Sequence, residues 1–362
     1  MKLISFYLPG YHEDETNNKF WGKGFTEWDN VKRGIPLFVG HFQPRLPTEE
    51  LGFYDLTDDS VRYKQMNLAK KYGIHAWCYY YYRFNDKRPL RLPLDRHFND
   101  KDLDMPFLVC WANENWTKRW DGLKKEILLS QQHNLLDSLN FIKEISPMFL
   151  DKRYVRVNNK PVLLVYRTEL FHSIKNTVDI WRNYVKNEYN LEIYLVRCHG
   201  FEKATDPKDI NFDASYQFPP LNLPSYFNGL NKSDGGKVAF YNEWPNMVFE
   251  EKPFKLFRGV MTGFDNTPRR LKSYDPNILR ILDAPCGVGG VYYGATPEMY
   301  KIWLKIAIKY TLDRFKDEEQ LVFINAWNEW GEGAVLEPCN QYGYKYLEAT
   351  LEAFQSINKS ES

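Results

Sequence analysis

The sequence predicts an α/β fold, a single (β/α)8 TIM barrel over residues 1–362 with long loops over its carboxyl-terminal face. Short apolar runs alternate with segments of helical periodicity from end to end, and eight of these runs have the length of a strand. Polar and aromatic residues follow several of the runs, at the end of the barrel where such folds place their chemistry. A doubly wound fold would need a glycine-rich turn after the first strand, but the chain has Pro9-Gly10-Tyr11-His12 there.

The predicted strands are rich in apolar, aromatic and β-branched residues, as expected of strands buried on both faces. They lie at residues 3–8, 76–82, 105–111, 161–166, 191–198, 212–218 and 259–264, and the eighth begins at residue 321. The second strand contains four successive tyrosines, Tyr79 to Tyr82. Because side chains alternate between the two faces of a strand, about half of these tyrosines should point into the barrel.

Helices are predicted between the strands from apolar residues that share one face. The first is capped by Asp58 or Asp59 and stops at Gly73, and the others cover residues 132–145, the stretch from Val178 to Val185, the face from Met299 to Tyr310, and residues 344–354. Two segments depart from this pattern. Residues 20–28 are rich in Trp and Gly and are predicted to fold over the barrel mouth, and residues 219–253 are predicted to form a lid or binding loop.

The composition favours a neutral partner. A hydrophobic fraction of 43% over 362 residues supports a sizeable core, and a formal net charge of +1 gives no electrostatic signature of nucleic acid or an anionic membrane. Aromatic residues make up 17% of the chain. Most of them must lie in the core, but sugar-binding clefts also combine aromatic faces with polar groups. The composition therefore predicts a neutral partner and no nucleic acid, and an oligosaccharide or polysaccharide substrate would fit it.

Cysteine usage and the amino terminus favour a cytoplasmic location. The five cysteines are odd in number and widely spaced, which is typical of buried free thiols in a reducing compartment. The chain begins directly with a predicted strand, without the apolar region of a signal peptide. No apolar run reaches the ~18 residues that span a membrane, so we expect no membrane span. The sequence leaves the oligomeric state open.

The candidate catalytic residues lie in the segment after the eighth strand, Asn325-Ala326-Trp327-Asn328-Glu329-Trp330-Gly331-Glu332-Gly333. If the chain turns helically there, Glu329 and Glu332 share a face with Cβ atoms roughly 5–6 Å apart. Repulsion between the carboxylates and burial against the neighbouring tryptophans would keep one of them protonated, as an acid and base pair requires. Retaining glycosidases use such pairs at about 5–5.5 Å. The alternative is a capping turn whose carboxylates face water.

Other candidates for substrate binding follow the carboxyl ends of the predicted strands or lie in residues 20–28. They are Tyr7, Glu27, Trp28, Tyr82, Trp111, Asn113, Glu114, Tyr166, Arg167, His199, Asp265, Asn325, Trp327 and Asn328. The tryptophans could instead cover the rim of the core, and His199 could be a hydrogen-bonded rim residue.

The sequence predicts no metal site and no cofactor. It has no His-Glu-x-x-His run, no Cys-x-x-Cys pair and no Gly-x-Ser-x-Gly element. The aspartates Asp100, Asp102 and Asp104 have a spacing that could hold a divalent metal and a nucleotide diphosphate. Because they precede the third strand, they should lie at the opposite end of the barrel from the other polar clusters, where a solvated turn is the simpler interpretation.

Five motifs together resemble the WbsX family, bacterial proteins with a domain similar to glycoside hydrolase family 99. They are residues 6–9, 21–28, 51–56, 110–116 and 325–333, with the sequences FYLP, WGKGFTEW, LGFYDL, CWANENW and NAWNEWGEG. The resemblance covers nearly the whole chain. It implies a (β/α)8 barrel, an association with surface-polysaccharide biosynthesis, often under the name glycosyltransferase, and a relation to the retaining endo-α-mannosidases and endo-α-mannanases of family 99.

The resemblance also implies a mechanism through a 1,2-anhydro sugar. Family 99 uses a Glu-Trp-x-Glu element on the last strand, which is matched by Glu329-Trp330-Gly331-Glu332. Glu329 would remove the proton of the substrate's 2-hydroxyl, which attacks the anomeric carbon, while Glu332 protonates the leaving oxygen and later activates water. The family 99 hydrolases tend to carry His where this chain has Gly331. The difference removes one possible sugar contact and leaves both carboxylates in place.

Three functions follow from these observations. The leading hypothesis is a retaining hydrolase that cleaves an internal α-linked, manno-configured sugar. A glycosyltransferase or transglycosylase of O-antigen or capsular polysaccharide assembly would instead bind a sugar nucleotide or lose activity with a chelator. A non-catalytic glycan-binding barrel would be indicated by a wide separation of Glu329 and Glu332, or by burial of one of them in a salt bridge with Arg269 or Arg270.

Overall fold

The computed structural model describes residues 1–37, 39–118, 123–201, 206–221, 237–240, 251–269 and 290–356. The first elements in chain order are β1 (Lys2–Tyr7), α1 (Glu15–Trp21), α2 (Glu27–Val31), α3 (Asp59–Lys71), β2 (Ala76–Tyr81), α4 (Leu92–Asn99), β3 (Phe107–Trp111), β4 (Trp116–Lys118), β5 (Leu123–Leu129) and α5 (Leu135–Ile145). They are followed by β6 (Arg156–Val157), β7 (Lys160–Val165), α6 (Ile174–Tyr189), β8 (Tyr194–His199), β9 (Ala214–Gln217), β10 (Lys237–Phe240), β11 (Leu256–Phe257), β12 (Gly259–Met261), β13 (Gly290–Tyr293), α7 (Pro297–Arg314), β14 (Leu321–Asn325), β15 (Asn328–Glu329), β16 (Ala334–Val335) and α8 (Lys345–Gln355).

A parallel sheet closes into a barrel through one interrupted strand. The order of its strands is β11, β9, β8, β7, β3, β2, β1, β14 and β12. The two end strands belong to one segment, because only Arg258 separates β11 from β12. Since β11 pairs with β9 and β12 pairs with β14, this segment joins the two edges of the sheet. The (β/α)8 barrel predicted from the sequence is confirmed.

The barrel helices begin and end where the sequence provides caps. The side chain of Asp58 accepts a hydrogen bond from the backbone N of Ser60 at the start of α3, and Asn134 caps α5 in a similar way. Gly73 follows α3 with a φ of +82°, a left-handed conformation that glycine adopts without strain. Between β8 and β9 the described residues form a 3-10 helix, Pro207–Ile210, so the barrel departs there from strict alternation with α-helices.

The four tyrosines of the second strand alternate between the two faces of the sheet. Tyr79 and Tyr81 point outward, where the hydroxyl of Tyr79 contacts His97 of α4 and that of Tyr81 contacts α5. Tyr80 and Tyr82 point inward and line a cavity at the mouth of the barrel. Two of the four therefore enter the barrel, which confirms the alternation expected from the sequence.

Some sequence-based predictions fall on residues outside the described ranges. Residues 219–253 are described only at 219–221, 237–240 and 251–253, so a lid within them stays a prediction. Cys286 and Arg270 also lie outside, whereas the other four cysteines are buried and free. None of the described helices is both long and apolar enough to cross a bilayer.

Candidate active site

A cavity of about 540 Å³ lies at the carboxyl ends of the barrel strands. Small-molecule sites in proteins commonly have volumes of ~300–1,000 Å³. The lining combines aromatic rings with four carboxyl groups and two guanidinium groups, and it includes Trp21, Glu27, Tyr80, Tyr82, Glu114, Trp116, Tyr166, Arg167, Arg269, Glu329 and Glu332.

Both candidate carboxylates belong to a tight turn that follows β14. Glu329 ends β15, which pairs antiparallel with β16, and the residues Trp330–Glu332 form a 3-10 helix between these two strands. Gly333 then ends the turn with a φ of +62°, which favours glycine. The helical turn expected from the three-residue spacing is present, and it directs Glu329 and Glu332 into the same cavity.

One guanidinium group joins both candidate carboxylates. Arg269, which follows β12, donates from Nη2 to Oε1 of Glu329 at 2.5 Å and from Nη1 to Oε1 of Glu332 at 2.8 Å. Its Nε donates to Oε2 of Glu27 at 3.2 Å. The side chain of Arg269 is 11% exposed. Three carboxyl groups thus surround one buried cation, and the two that bind its terminal nitrogens must lie close to each other.

Burial of a candidate carboxylate in a salt bridge with Arg269 is the arrangement expected of a non-catalytic barrel, and it is present. The same geometry still leaves room for chemistry, because Arg269 binds only the Oε1 atom of each carboxyl group. Within the described part of the chain, Oε2 of Glu329 and Oε2 of Glu332 accept no hydrogen bond. Each group therefore retains one oxygen that can contact a ligand in the cavity.

Gly331 provides the space that the guanidinium occupies. A Cβ atom at position 331 would lie 2.7 Å from Nε of Arg269 and 3.0 Å from Oε2 of Glu27. Both distances are shorter than the ~3.5–4.0 Å at which carbon atoms pack most favourably. Arg269 therefore fills the volume that a side chain at position 331 would occupy.

Glu329 holds its proton more tightly than a solvated carboxyl group. Burial raises the pKa of Glu329 to about 8; the Arg269 guanidinium acts in the opposite direction, and the charges of Glu332 and Glu27 raise the pKa further. The Glu329 side chain is 5% exposed, whereas that of Glu332 is 29% exposed. Burial therefore favours the protonated form of Glu329, and the guanidinium of Arg269 favours the ionised form.

A further buried carboxyl group, Glu337, supports the turn from the core side. Its Oε1 accepts hydrogen bonds from Nε2 of Gln65 at 2.7 Å and Nε1 of Trp327 at 3.1 Å. Its Oε2 accepts from the hydroxyl of Tyr54 at 2.7 Å and Nε1 of Trp330 at 2.9 Å. Burial raises the pKa of Glu337 to about 7, and these donors act in the opposite direction. The bonds fix both tryptophans of the turn.

Sequence reasoning missed Glu337 and considered Arg269 only as a sign of a non-catalytic barrel. Glu337 ends the run Ala334-Val335-Leu336, and a lone carboxyl group after a short apolar run was the available signal for a buried acid. Arg269 carried no comparable signal, because it lies in a polar loop and only the fold brings it over the turn. The lining residues Trp21, Tyr80 and Trp116 were also not among the candidates.

Five of the predicted substrate-binding residues line the cavity together with Glu329 and Glu332; these are Glu27, Tyr82, Glu114, Tyr166 and Arg167. Arg167 forms an ion pair with Glu114, and its guanidinium carbon lies 4.1 Å from the ring centroid of Phe201. Their direct contact with a substrate stays a prediction.

Four predicted aromatic contacts belong to the core instead of the cavity lining; these are Tyr7, Trp28, Trp111 and Trp327, each at most 4% exposed. Trp111 is the last residue of β3, and the strand register turns it outward, where its ring stacks on Phe141 of α5 with centroids 3.8 Å apart. For these residues the alternative interpretation, aromatic packing at the rim of the core, fits their positions.

Three predicted asparagines bind backbone groups and do not line the cavity. The Asn113 side chain accepts from N of Arg167 and donates to its O, each at 2.8 Å. Asn328 forms the same pair of bonds with Leu8, at 2.7 and 3.0 Å, and Asn325 donates to a backbone carbonyl at 2.8 Å. Asn113 and Asn328 each connect segments that follow neighbouring strands, and Asn325 connects β14 to the segment after β9, so these amides shape the barrel mouth.

His199 and Asp265 also lie outside the lining of the main cavity. His199 packs against an aromatic ring at 5.7 Å between centroids. Asp265 lines a second cavity of about 280 Å³, where Oδ2 is hydrogen-bonded to Nε2 of His41 at 2.7 Å and of Gln43 at 2.5 Å. The backbone N of Asp265 donates to O of Glu332 at 2.6 Å. Asp265 therefore supports the carboxylate turn from behind.

The aspartate run before β3 forms a polar turn away from the cavity. Asp100 accepts hydrogen bonds from the hydroxyl of Tyr63 at 3.0 and 3.1 Å and from the backbone N of Asp102 at 3.1 Å. Asp104 pairs with Lys70 at 3.0 Å. In the described ranges no group of three or more His, Cys, Asp or Glu residues is arranged to hold a metal ion.

A family model described as "Glycosyltransferase WbsX" matches residues 3–350. The chain belongs to this family. Two curated relatives named "Uncharacterized protein WxcX", from two strains of Xanthomonas campestris pv. campestris, are 40% identical over 359 residues, which is 97% of this WbsX chain. The chain spans about half the length of these relatives, 49%.

Solved structures similar to the WbsX chain include the GH99 endo-alpha-mannosidase from Bacteroides thetaiotaomicron. It matches with a TM-score of 0.55 and 14% identity, and the match covers 99% of this chain and 98% of that one. A structure named "Glycoside hydrolase-like protein" matches with a TM-score of 0.54 and 12% identity over 98% and 93% of the two chains. At such identities the likeness concerns the fold.

Proposed function

We propose that this WbsX chain is a retaining glycoside hydrolase that cleaves an internal α-linked, manno-configured sugar of a bacterial surface polysaccharide or a related glycan. One observation carries the proposal: Glu329 and Glu332 enter the same cavity, and one guanidinium holds each of them through Oε1 alone. Retaining cleavage of a glycosidic bond typically uses two carboxyl groups about 5–5.5 Å apart. Binding to one guanidinium keeps Glu329 and Glu332 close to each other. The proposed reaction needs neither a metal nor a cofactor.

In the first proposed step, Glu329 takes the proton of the substrate's 2-hydroxyl and the freed oxygen attacks the anomeric carbon. The bond between that carbon and the leaving oxygen breaks while Glu332 gives its proton to the leaving oxygen. In the second step, Glu332 takes a proton from water, whose oxygen attacks the anomeric carbon. The 1,2-anhydro bond opens, and Glu329 returns the proton to O2. Two inversions at the anomeric carbon give net retention.

The protonation of Glu329 has a consequence for this mechanism. Because burial raises the pKa of Glu329 to about 8, the ionised form that accepts the 2-hydroxyl proton becomes more abundant as the pH rises toward that value. The proposed rate therefore increases with pH through that range. If Glu329 were the general acid and Glu332 the base, the rate would decrease over the same range, because the required proton on Glu329 would be lost.

The charges of the cavity favour an uncharged sugar. Among the described residues, its lining contains the carboxyl groups of Glu27, Glu114, Glu329 and Glu332 and the guanidinium groups of Arg167 and Arg269. Each guanidinium already pairs with carboxylates, Arg167 with Glu114 and Arg269 with the other three. An anionic sugar would meet net negative charge with no uncommitted cation in this lining, which lowers its affinity.

Two other functions each have one supporting observation. The family description names a glycosyltransferase, which supports transfer from an activated donor in polysaccharide assembly. The salt bridge between Arg269 and Glu329 supports a non-catalytic glycan-binding barrel, because it holds one carboxyl group in an ion pair. We also propose a cytoplasmic location, which the buried free thiols among the described cysteines support.

The deciding experiment follows the anomeric protons of α-mannosyl oligosaccharides by NMR in the presence of the wild type, Glu332→Gln and Glu348→Gln. Glu348 is exposed on α8 and serves as the matched control. Hydrolysis predicts a retained α-anomer with the wild type and with the control, and none with Glu332→Gln. Product that forms only when a sugar nucleotide is added would indicate transfer. Binding without any product would support the non-catalytic barrel.

A further inference from the structure

We propose that Arg269 is the positioning residue of the carboxylate pair and that it can act only because residue 331 is glycine. Its role in turnover rests on the proposed hydrolase function, whereas its effect on the two carboxyl groups does not. In this chain a cation from the loop after β12 takes the space that a side chain of the turn would fill.

The guanidinium is held in one orientation by three partners. Its two terminal nitrogens bind Oε1 of Glu329 and Oε1 of Glu332, and its Nε binds Oε2 of Glu27. Glu27 is itself fixed at the start of α2, where Oε2 also accepts from Nδ2 of Asn30 at 3.3 Å. Because the donors of a guanidinium lie in one plane, these bonds fix the position of Oε1 of each candidate carboxylate and leave both Oε2 atoms toward a ligand.

The requirement for glycine at position 331 is spatial. The backbone of Gly331 lies outside the left-handed region, so a residue with a side chain could adopt its conformation. The obstacle is the contact, since a Cβ atom would lie 2.7 Å from Nε of Arg269 and 3.0 Å from Oε2 of Glu27. A side chain at this position therefore forces the guanidinium to shift, and the shift changes its bonds to the two carboxyl groups.

The groups that face Glu329 determine how strongly its ionised form depends on the guanidinium of Arg269. Among the described residues they are Glu332 in the turn, Glu27 on α2, Arg269, and the phenol groups of Tyr11 after β1, Tyr80 on β2 and Tyr82 directly after β2. All of them except Arg269 are acidic or neutral. Burial and the acidic neighbours favour the protonated form of Glu329, and the guanidinium favours the ionised form that the proposed base requires.

The first test compares Gly331→Ala with Gly290→Ala. Gly290 is a matched control, because its backbone is also outside the left-handed region and, among the described residues, an added Cβ would meet a phenylalanine ring at 3.5 Å, an ordinary contact. We expect Gly331→Ala to lower kcat by about tenfold or more while the arginine remains in the chain, as small misplacements of reacting groups do. Gly290→Ala should keep wild-type turnover. Equal turnover of the two variants would overturn the proposal.

The second test does not depend on turnover. The carboxyl and carboxylate infrared bands of Glu329 are followed against pH in the unliganded protein, as differences from Glu329→Gln. Arg269→Gln should raise the midpoint of this titration by about one unit or more, and Arg269→Lys should restore part of the shift because it returns the charge without the planar geometry. An unchanged midpoint in Arg269→Gln would overturn the proposal. If the midpoint shifts but the protein cleaves no glycan, the role of Arg269 in positioning the carboxyl groups is supported and the proposed hydrolase function is wrong.

Discussion

Glu337 accepts a hydrogen bond from Nε1 of Trp330 at 2.9 Å, and Trp330 lies between the two candidate catalytic residues in the chain. The same carboxyl group accepts from Trp327, which precedes the turn. The barrel core thus holds the carboxylate turn through one buried acid that itself lies outside the cavity lining. This relationship makes the geometry of the candidate active site depend on a residue that touches no ligand.

Glu337→Gln should destabilise the protein and loosen the turn. A carboxylate offers acceptor sites to all four of its donors, whereas a glutamine amide presents two N–H groups where two of these donors point. Each buried donor left without an acceptor costs about 1–3 kcal/mol, so we expect the free energy of unfolding to fall by about 2–4 kcal/mol. Denaturant unfolding measures this loss, and exposed Glu348→Gln is the control. A stability equal to that of the control would show that the four bonds contribute little.

Glu329 should make the folded state less stable as the pH rises. Its pKa of about 8 in the folded protein exceeds its usual value of 4.5, so over this range the folded state keeps a proton that the unfolded chain releases. The free energy of unfolding therefore falls with increasing pH; the contribution is complete below about pH 4.5 and is lost above about pH 8. Glu329→Gln stays neutral at every pH and should escape this loss.

Urea unfolding of the wild type and Glu329→Gln at about pH 5 and about pH 9 measures this contribution. The two proteins should differ little at the lower pH, and the variant should gain on the wild type by roughly a few kcal/mol at the higher pH. Other titrating groups, such as Glu337, act in both proteins and cancel in the comparison. A difference that stays constant with pH, or grows in favour of the wild type, would contradict the raised pKa of Glu329.

The cavity should discriminate against anionic sugars. Arg167 and Arg269 are both committed to carboxylates, so a uronic acid would add a negative charge close to Glu114 or Glu332 without gaining a cation. We expect α-mannuronate-containing oligosaccharides to bind at least about tenfold more weakly than the neutral α-mannosides, since like-charge contacts at interfaces are costly. The inhibition constants of the two sugars against cleavage of a neutral α-mannoside by the wild type measure this difference while Glu332 keeps its charge. Tighter binding of the uronate would contradict this prediction, because Arg167 or Arg269 would have to leave its carboxylate partner and bind the sugar.

Neighbouring strand ends show how far the sequence could predict the site. The polar cluster after the apolar run of β14 located Glu329 and Glu332, because chemistry at a barrel mouth needs residue types that a core excludes. The same argument predicted that Asn113 and Asn328 line the cavity. Both side chains instead bind backbone groups that directly follow an adjacent strand. Sequence identifies polar groups at a strand end but not their direction, which depends on the neighbouring segment that they connect.

The strand register decides whether an aromatic side chain points into the barrel or away from it. Tyr80 pairs in register with Cys110 on the inner face of the sheet, and Tyr81 pairs with Trp111 on the outer face. The sequence predicted the alternation but not its phase, so Trp111 was assigned to the cavity. Arg269 illustrates a different limit, because the contact between its guanidinium and Gly331 joins positions 62 residues apart in sequence, and no local pattern encodes that distance.

Trp111 and Trp116 therefore provide a matched pair of predictions. Trp111 is fully buried and stacks on Phe141, so Trp111→Ala should lower the free energy of unfolding by about 3–5 kcal/mol through a large cavity in the core. Trp116 lines the main cavity and is half-buried beside Tyr82, with ring centroids 5.3 Å apart. Trp116→Ala should lower stability less and weaken binding of neutral oligosaccharides, because it removes an apolar face from the cavity.

Denaturant unfolding and calorimetry of both variants, with Glu332→Gln as the common background for binding, separate the two roles. If Trp111→Ala kept wild-type stability and lost binding, the ring would have to reach the ligand, and the outward register of β3 would be wrong. If Trp116→Ala bound glycans as tightly as its parent, sugars would be held by polar groups such as Glu114 and Arg167, and the aromatic wall of the cavity would serve the fold alone.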